Sequence, residues 1–173
     1  MRKGLVVVMA MLMVTFATAG SAWAESSLRE GAFGFTVKVV NTDTELSDKA
    51  VAGMISGRYL LQDNLAVLAG FGLNFRGQDD DGTDVALMGG IRHYLNTSSF
   101  APFVGGYLEH HRYNDGNSKV TRLIGEFGAE YFLARQFSIE GSIGLGYTLQ
   151  DEEAEDVSRL GTQRSAISVN YYF

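Results

Sequence analysis

The end of the chain constrains its fold more than any other segment. Apolar side chains occupy every second position up to the terminal aromatic, namely Ile167, Val169, Tyr171 and Phe173. The ends of soluble domains usually fray and carry polar residues. Alternation up to the last residue is instead typical of a membrane barrel whose final strand pairs with its first. We therefore predict that this strand closes a transmembrane β-barrel.

The first 24 residues are predicted to be an export signal. Arg2 and Lys3 precede an apolar stretch at 5–16, and Ala22 and Ala24 place small residues where a signal peptidase cuts. Residues 25–173 then form a single barrel domain, and loss of the two cations changes the formal charge from −6 to −8. The chain has no Cys, so an exported fold must hold together without disulfides.

A repeated hairpin predicts the number of strands. The segments 58–65, 92–100 and 130–137 each end one alternating run, make a short polar turn and start another, and they recur 35 to 37 residues apart. Longer acidic connections lie between them, at 41–49, 76–84, 114–119 and 150–160. Three short turns and four long loops join eight antiparallel strands in up-and-down order. The predicted strands are 32–41, 50–60, 65–75, 84–95, 101–113, 119–132, 137–149 and 162–173.

The lengths and faces of these strands fit a membrane. Ten or eleven residues tilted by about 40° rise about 25–28 Å, the height of an outer-membrane apolar band. On strands 65–75 and 137–149 large apolar side chains share one face, and mostly small or polar residues share the other. A soluble exported barrel has similar faces, and that alternative stays open. A membrane barrel is favoured over a soluble one by the export signal, the terminal aromatic and the aromatics near strand ends.

Four segments carry a resemblance to a known family: 90–95 (GIRHYL), 102–106 (PFVGG), 128–132 (GAEYF) and 169–173 (VNYYF). The chain resembles the small outer-membrane β-barrel family of Gram-negative bacteria, the OmpA/OmpX-type and porin-family eight-stranded barrels. The resemblance implies an outer-membrane monomer with a periplasmic N-terminus and long surface loops. It also implies handling by periplasmic chaperones and the barrel-assembly machinery, with Ile167, Val169, Tyr171 and Phe173 in the strand that serves as the assembly signal.

Eight charged residues fall on the predicted inward face. An eight-stranded barrel is just wide enough for its own side chains, and buried charges are tolerable only when they are paired and hydrogen-bonded. We predict a structural polar core. The alternative is a gate, in which exchangeable Arg–Glu pairs open briefly to ions. The residues are Lys38, Arg58, Arg92, Glu109, Arg122, Glu126, Glu130 and Glu140.

The predicted loops are strongly acidic. They hold 13 of the 20 acidic residues but only four cations, so they are poor partners for nucleic acid. Carboxylates on a flexible loop suit a divalent cation, which could bridge to lipopolysaccharide phosphates. The alternative is a solvated loop that resists aggregation. The acidic run 151–156 has the same two interpretations and is expected to be mobile. The densest group is Asp79, Asp80, Asp81 and Asp84.

Catalytic residues are not evident. Some barrels of this type modify lipid A, and the deacylases among them carry a His-x-Ser-Asn pattern, but here Leu95 stands two residues after His93. Glu109 and His111 share a strand face and could pair or hold a metal, but a third ligand is missing from that segment. We predict no enzyme activity and no cofactor, and we assign no metal site.

Three functions are compatible with the sequence. The first is a structural, envelope-integrity or surface-interaction role, in which acidic loops face ligands, host surfaces or lipopolysaccharide. The second is a narrow gated porin for small solutes or ions. The third is a lipid A-modifying enzyme. In each case the expected partners are outer-membrane lipid and lipopolysaccharide.

Overall fold

The computed structural model describes residues 26–43, 54–76, 82–112, 119–152 and 155–173. In these residues eight antiparallel strands form a closed barrel, each strand paired with the next and the last paired with the first. The predicted eight-stranded up-and-down barrel is therefore confirmed. The strands are β1 (Phe33–Asp43), β2 (Ile55–Gln62), β3 (Leu65–Arg76), β4 (Gly82–Tyr94), β5 (Phe100–Arg112), β6 (Lys119–Ala134), β7 (Phe137–Glu152) and β8 (Glu155–Tyr172).

The two ends of the barrel differ. Short connections at 63–64, 95–99 and 135–136 lie at one end, which we term the turn end. The connections after β1, β3, β5 and β7 lie at the other end, which we term the loop end, and residues 44–53, 77–81, 113–118 and 153–154 of these connections lie outside the described residues. No helix in the described part of the chain is long and apolar enough to cross a membrane.

The hairpin of β7 and β8 is longer than the sequence predicts. The acidic composition predicts a loop at 150–160, but β7 continues to Glu152, β8 begins at Glu155, and Asp151 pairs with Asp156. That prediction is wrong because it assumes that charge ends each strand. An antiparallel ladder can continue beyond the apolar band, since its hydrogen bonds join the two backbones and need no apolar side chains.

Strand alternation separates an apolar outside from a mixed inside. On β3, Phe71 faces outward and is 53% exposed, whereas Leu68 faces inward and is 8% exposed. β7 alternates in the same way, with Ile143 and Leu145 exposed and Ser142 buried. A continuous exposed apolar surface is unusual in a soluble protein and is the pattern of a lipid-facing barrel wall.

The interior is layered along the barrel axis, as the inward residues of β4 illustrate. From the turn end they run through Tyr94, Arg92, Met88 and Asp84. Tyr94 belongs to an apolar cluster at the turn end, and Met88 belongs to a second apolar cluster with Leu68, Tyr107 and Ile124. Charged layers therefore alternate with apolar layers inside the barrel.

A short N-terminal segment, 26–32, closes the turn end and is termed the floor. Leu28 and Ala32 are buried in the turn-end apolar cluster with Leu60, Phe103 and Phe132. The backbone is tied to β2 by bonds from Gly31 N to Leu60 O and from Leu60 N to Ala32 O, both 2.9 Å. The floor also contacts all three short turns. Ser26 Oγ donates to Thr97 O, Ser27 Oγ donates to Arg135 O, and Glu30 N donates to Asp63 Oδ1.

Candidate functional site

Arg58 of β2 is the centre of the buried charge network. Its guanidinium donates to Glu130 Oε2 and Glu140 Oε2, each at 2.9 Å. Both carboxylates are inward-facing, on β6 and β7, so the pairs cross the barrel interior. The same guanidinium also donates to four neutral oxygens, those of Thr36 (2.8 Å), Tyr94 (2.7 Å), Asn170 (3.0 Å) and Tyr172 (3.1 Å).

Arg92 of β4 lies beside Arg58 and shares a carboxylate with it. It donates to both oxygens of Glu140, at 2.7 and 3.0 Å, and to Glu126 Oε2 at 2.9 Å. Its guanidinium carbon is 3.6 Å from the centroid of the Phe103 ring, which belongs to the turn-end apolar cluster. Glu140 therefore joins the two arginines, and its negative charge offsets the repulsion between them.

Glu130 is fully buried, and its carboxylate oxygens are saturated. Its partners besides Arg58 are Tyr94 (2.9 Å), Tyr172 (2.8 and 3.0 Å), the Asn170 amide (3.0 Å) and the Ser138 hydroxyl. A buried carboxylate that accepts this many bonds has its charge distributed over the surrounding donors. The Glu130 carboxylate is thus satisfied by donors from several strands at once, which favours one fixed arrangement of that side chain.

Glycines make the space that these large side chains fill. A Cβ at Gly34 of β1 would lie 2.8 Å from Tyr172 Cε1 and 2.9 Å from Arg58 Cγ. A Cβ at Gly128 of β6 would lie 2.7 Å from Phe103 Cζ. These positions face the network, so their lack of a side chain is part of how the core is packed.

A second polar cluster lies nearer the loop end, and we term it the upper cluster. It contains four buried side chains, and His111 Nε2 lies 3.3 Å from Glu109 Oε2, which is the pairing that strand alternation predicts. Glu109 and Arg122 are opposite one another in the register of β5 and β6. The members are Asp84, Glu109, His111 and Arg122.

The predicted inward charges are therefore inside the barrel, but in two groups. Arg58, Arg92, Glu126, Glu130 and Glu140 form the turn-end network, and Glu109 and Arg122 belong to the upper cluster. Lys38 is half-buried, and its Nζ lies 5.9 Å from the centroid of the Tyr107 ring. Whether these groups act as a fixed core or as a gate stays a prediction.

One residue of the predicted cation loop lies elsewhere. Asp84 is a buried residue of β4 that faces the interior, so it does not lie on an exposed loop. The assignment of Asp84 to a surface loop is wrong because β4 begins two residues earlier than predicted, at Gly82. Asp79, Asp80 and Asp81 lie outside the described residues. Among the residues that are described, no group of three or more acidic or His side chains is placed to hold a metal ion.

The network also contains neutral members that the sequence reasoning missed. Tyr94 and Tyr172 donate to Glu130, and Asn170 and Thr36 accept from Arg58. A signal is present in the sequence, because Tyr94 is two residues from Arg92 and therefore shares its strand face. Candidate residues that are chosen from the sequence for their charge alone do not include such neutral residues.

His93 has no catalytic setting among the described residues. Its side chain is exposed on the outward face of β4, and Leu95, where a nucleophile would be needed, is exposed as well. His111 faces the interior and pairs with Glu109. Neither His93 nor His111 is therefore shown together with both a nucleophile and an orienting carboxylate.

The closing strand behaves as the terminal alternation predicts. β8 pairs with β1, with Val169 opposite Val37 and Tyr171 opposite Phe35. Phe173 N donates to Phe33 O at 2.9 Å, and the two rings lie 6.1 Å apart. Ile167, Tyr171 and Phe173 are exposed on the outer wall. Closure of the barrel is confirmed, while recognition of this strand by the assembly machinery stays a prediction.

These features define the architecture of a small outer-membrane barrel: eight closed strands, an apolar wall and a packed polar interior. The structure is similar to the N-terminal β-barrel domain of Pseudomonas aeruginosa OprF, with a TM-score of 0.53 and 15% identity over 83% of this chain and 98% of that one. The fold is therefore the eight-stranded outer-membrane barrel fold.

Two further solved structures match at lower TM-scores. The attachment invasion locus protein Ail of Yersinia pestis gives a TM-score of 0.40 and 15% identity over 83% of this chain and 99% of that one. Neisserial surface protein A (NspA) gives 0.41 and 17% identity over 82% of this chain and 94% of that one. No protein-family model and no curated protein sequence matches the chain.

Proposed function

We propose that the protein is an outer-membrane barrel with a structural or surface-interaction role and an interior that stays closed. The observation that carries this proposal is the turn-end network, in which two buried arginines are held by three carboxylates between two apolar layers. Opening a path through it requires several ion pairs to break in a low-dielectric interior, and breaking one such pair costs about 3–5 kcal/mol.

The outer surface of the barrel and its two ends support the membrane location and the surface role in this proposal. The outward apolar side chains suit lipid, and the three short turns with the floor would face the periplasm, as in barrels of this size. The loop end would then face outward with the acidic segments. At that end the protein would contact lipopolysaccharide or other surface partners through divalent cations, which carboxylates attract.

Solute permeability tests the closed interior. Proteoliposomes containing the refolded protein should swell in small sugars at the same rate as protein-free vesicles. A heat-denatured sample carried through the same reconstitution controls for leaks caused by the procedure. Swelling by the folded protein, and not by this control, would contradict a permanently closed barrel.

A narrow gated porin is the second candidate, and the two carboxylate partners of Arg92 favour it. Arg92 contacts both Glu126 and Glu140, so it can move between carboxylates without losing all its partners. Planar bilayer recordings of Arg92→Gln and Glu130→Gln decide between the two, with Arg135→Gln as the exposed control. A closed core predicts no current in any of them, whereas a gate predicts openings in the wild type that the interior substitutions lengthen.

A lipid A-modifying activity is the third candidate and has the least support. We propose that the protein is not an enzyme, since His93 and Leu95, the positions that correspond to the deacylase pattern, are both exposed on the outer wall. Mass spectra of lipid A from cells that express the protein should match those of the parent strain. A new lipid A species that depends on His93 would overturn this part of the proposal.

A further inference from the structure

Residues 26–30 of the floor are attached to the barrel by side chains and turns rather than by a strand ladder. Leu28 is the only apolar residue of this stretch, and it is buried in the turn-end apolar cluster. Ser26 and Ser27 each donate a side-chain hydrogen bond to a carbonyl of a short turn, and Glu30 N donates to Asp63 at 2.8 Å. Water can replace these hydrogen bonds, so releasing the stretch costs mainly the burial of one leucine.

Gly31 separates this stretch from the strands. Its φ is 81°, in the left-handed region that glycine enters freely. Ala32 N donates to Arg29 O at 3.0 Å, which closes a turn with Gly31 at the position where a type II turn needs a positive φ. Rotation at Gly31 breaks the bond from Gly31 N to Leu60 O, whereas the bond from Leu60 N to Ala32 O remains. Gly31 is therefore placed to act as a hinge.

The floor covers side chains that complete the turn-end network. Leu28 belongs to the same apolar cluster as Tyr94 and Tyr172. Both tyrosine hydroxyls donate to Glu130, Tyr94 at 2.9 Å to Oε2 and Tyr172 at 2.8 Å to Oε1. Hydrogen bonds and ion pairs are stronger where water is excluded. The floor thus seals this side of the network from water at the turn end.

We propose that the floor is a hinged lid on the turn end of the barrel. Residues 26–30 swing away from the short turns about Gly31 and return, while the eight strands stay paired. The open floor admits water to the turn-end apolar cluster, and the closed floor excludes it. Solutes stay blocked in both states, because the ion pairs of Arg58 and Arg92 and the second apolar cluster lie deeper in the barrel. That the floor opens toward the periplasm is the one step that rests on the proposed function.

Thiol labelling of the folded protein in detergent micelles measures opening of the floor. The chain has no Cys, so each single-cysteine variant carries one reactive thiol. Ser27→Cys reports on the floor, and Ser142→Cys on β7 is the matched control, because the two serines are 7% and 8% exposed. Local opening exposes the first thiol alone, so we expect Ser27→Cys to react with a maleimide about 100-fold faster than Ser142→Cys. After boiling, the two variants should react at the same rate.

Gly31→Ala separates opening of the floor from static exposure of the thiol. A Cβ at Gly31 meets nothing within 4 Å, so the substitution acts only through the left-handed backbone, which is strained for alanine. Added to Ser27→Cys, it should raise the labelling rate about tenfold, because the closed floor is destabilised. The Ser142→Cys rate should not change. Gly141→Ala adds a Cβ that also meets nothing within 4 Å, at a glycine without a positive φ, and should change neither rate.

Equal labelling rates of Ser27→Cys and Ser142→Cys in the folded protein would overturn the proposal, since both thiols would then be exposed only when the whole barrel unfolds. It would also be overturned if Gly31→Ala left the Ser27→Cys rate unchanged or raised both rates equally. If Ser27→Cys does not fold, Ser26→Cys takes its place. Vesicle swelling separates this result from the proposed function. Equal labelling rates without swelling reject the hinged floor alone, whereas faster labelling of Ser27→Cys with swelling by the wild type rejects the closed interior alone.

Discussion

At the scale of single residues, Arg58 determines how the interior is organised. It bonds two carboxylates and four neutral side chains drawn from β1, β4, β6, β7 and β8. Removing Arg58 leaves Glu130 and Glu140 buried without their main cation. This lowers the stability of the fold more than removing the arginine and its carboxylate partners together would.

The substitution Arg58→Met should lower the free energy of unfolding by about 3–5 kcal/mol, because Glu130 and Glu140 then lose a buried cation. Urea titration of the refolded protein in detergent micelles measures this. Arg135→Met, at an exposed position, should change it by less than about 0.5 kcal/mol. Equal midpoints for the two variants would show that the network does not stabilise the fold.

Gly34 tests the packing around the same arginine. The substitution Gly34→Ala should destabilise the barrel by about 1–3 kcal/mol, because the added methyl group meets the Tyr172 ring and Arg58 Cγ. Gly141→Ala is the matched control, since a Cβ there meets nothing within 4 Å. The same urea titration compares them. Equal stability of the Gly34→Ala and Gly141→Ala variants would contradict the close approach at Gly34.

At the scale of elements, the floor is a structural part that the sequence did not reveal. Alternation identified β3, β7 and β8 because each side chain's face follows from its position along the strand. The floor has no period, and its contacts with Thr97 and Arg135 join residues far apart in the sequence. The long β7–β8 hairpin was missed for a different reason, since its extension depends on backbone pairing between charged residues.

Leu28→Ala should lower stability by about 2 kcal/mol, because a buried side chain is removed from the turn-end apolar cluster. The neighbouring Arg29 is exposed, and Arg29→Ala should have little effect. The temperature at which the folded band disappears on a detergent gel reports the difference. If both variants unfold at the wild-type temperature, the floor does not contribute to stability.

The closing element makes a prediction about assembly. Deleting Phe173 should reduce the amount of folded protein in the outer-membrane fraction, because β8 loses its terminal contact with Phe33 and the end of the alternating segment. Phe173→Tyr keeps an aromatic at this position and should assemble nearly normally. Normal assembly of the deletion variant would show that Phe173 is not part of the assembly signal.

At the scale of the whole molecule, the sequence predicted the architecture well and the site in part. The number of strands follows from the repeated hairpin, and closure of the barrel follows from the apolar alternation in the last strand. Both patterns can be recognised within short segments of the sequence. The pairing inside the barrel depends on which inward residues of β2, β4, β6 and β7 reach the same level, and that depends on shear and register. This is why the sequence predicts the eight charges as one set, while the structure separates a turn-end network from an upper cluster containing Asp84.

The chain forms a closed barrel that is held by β1–β8 pairing and a packed interior. Migration on a detergent gel before and after boiling tests the closure of the barrel most directly, because a closed barrel resists unfolding by detergent until it is heated. We predict that unboiled refolded protein migrates faster than boiled protein, and that protein never refolded shows a single mobility. Identical mobility of boiled and unboiled protein after refolding into detergent would contradict the closed barrel.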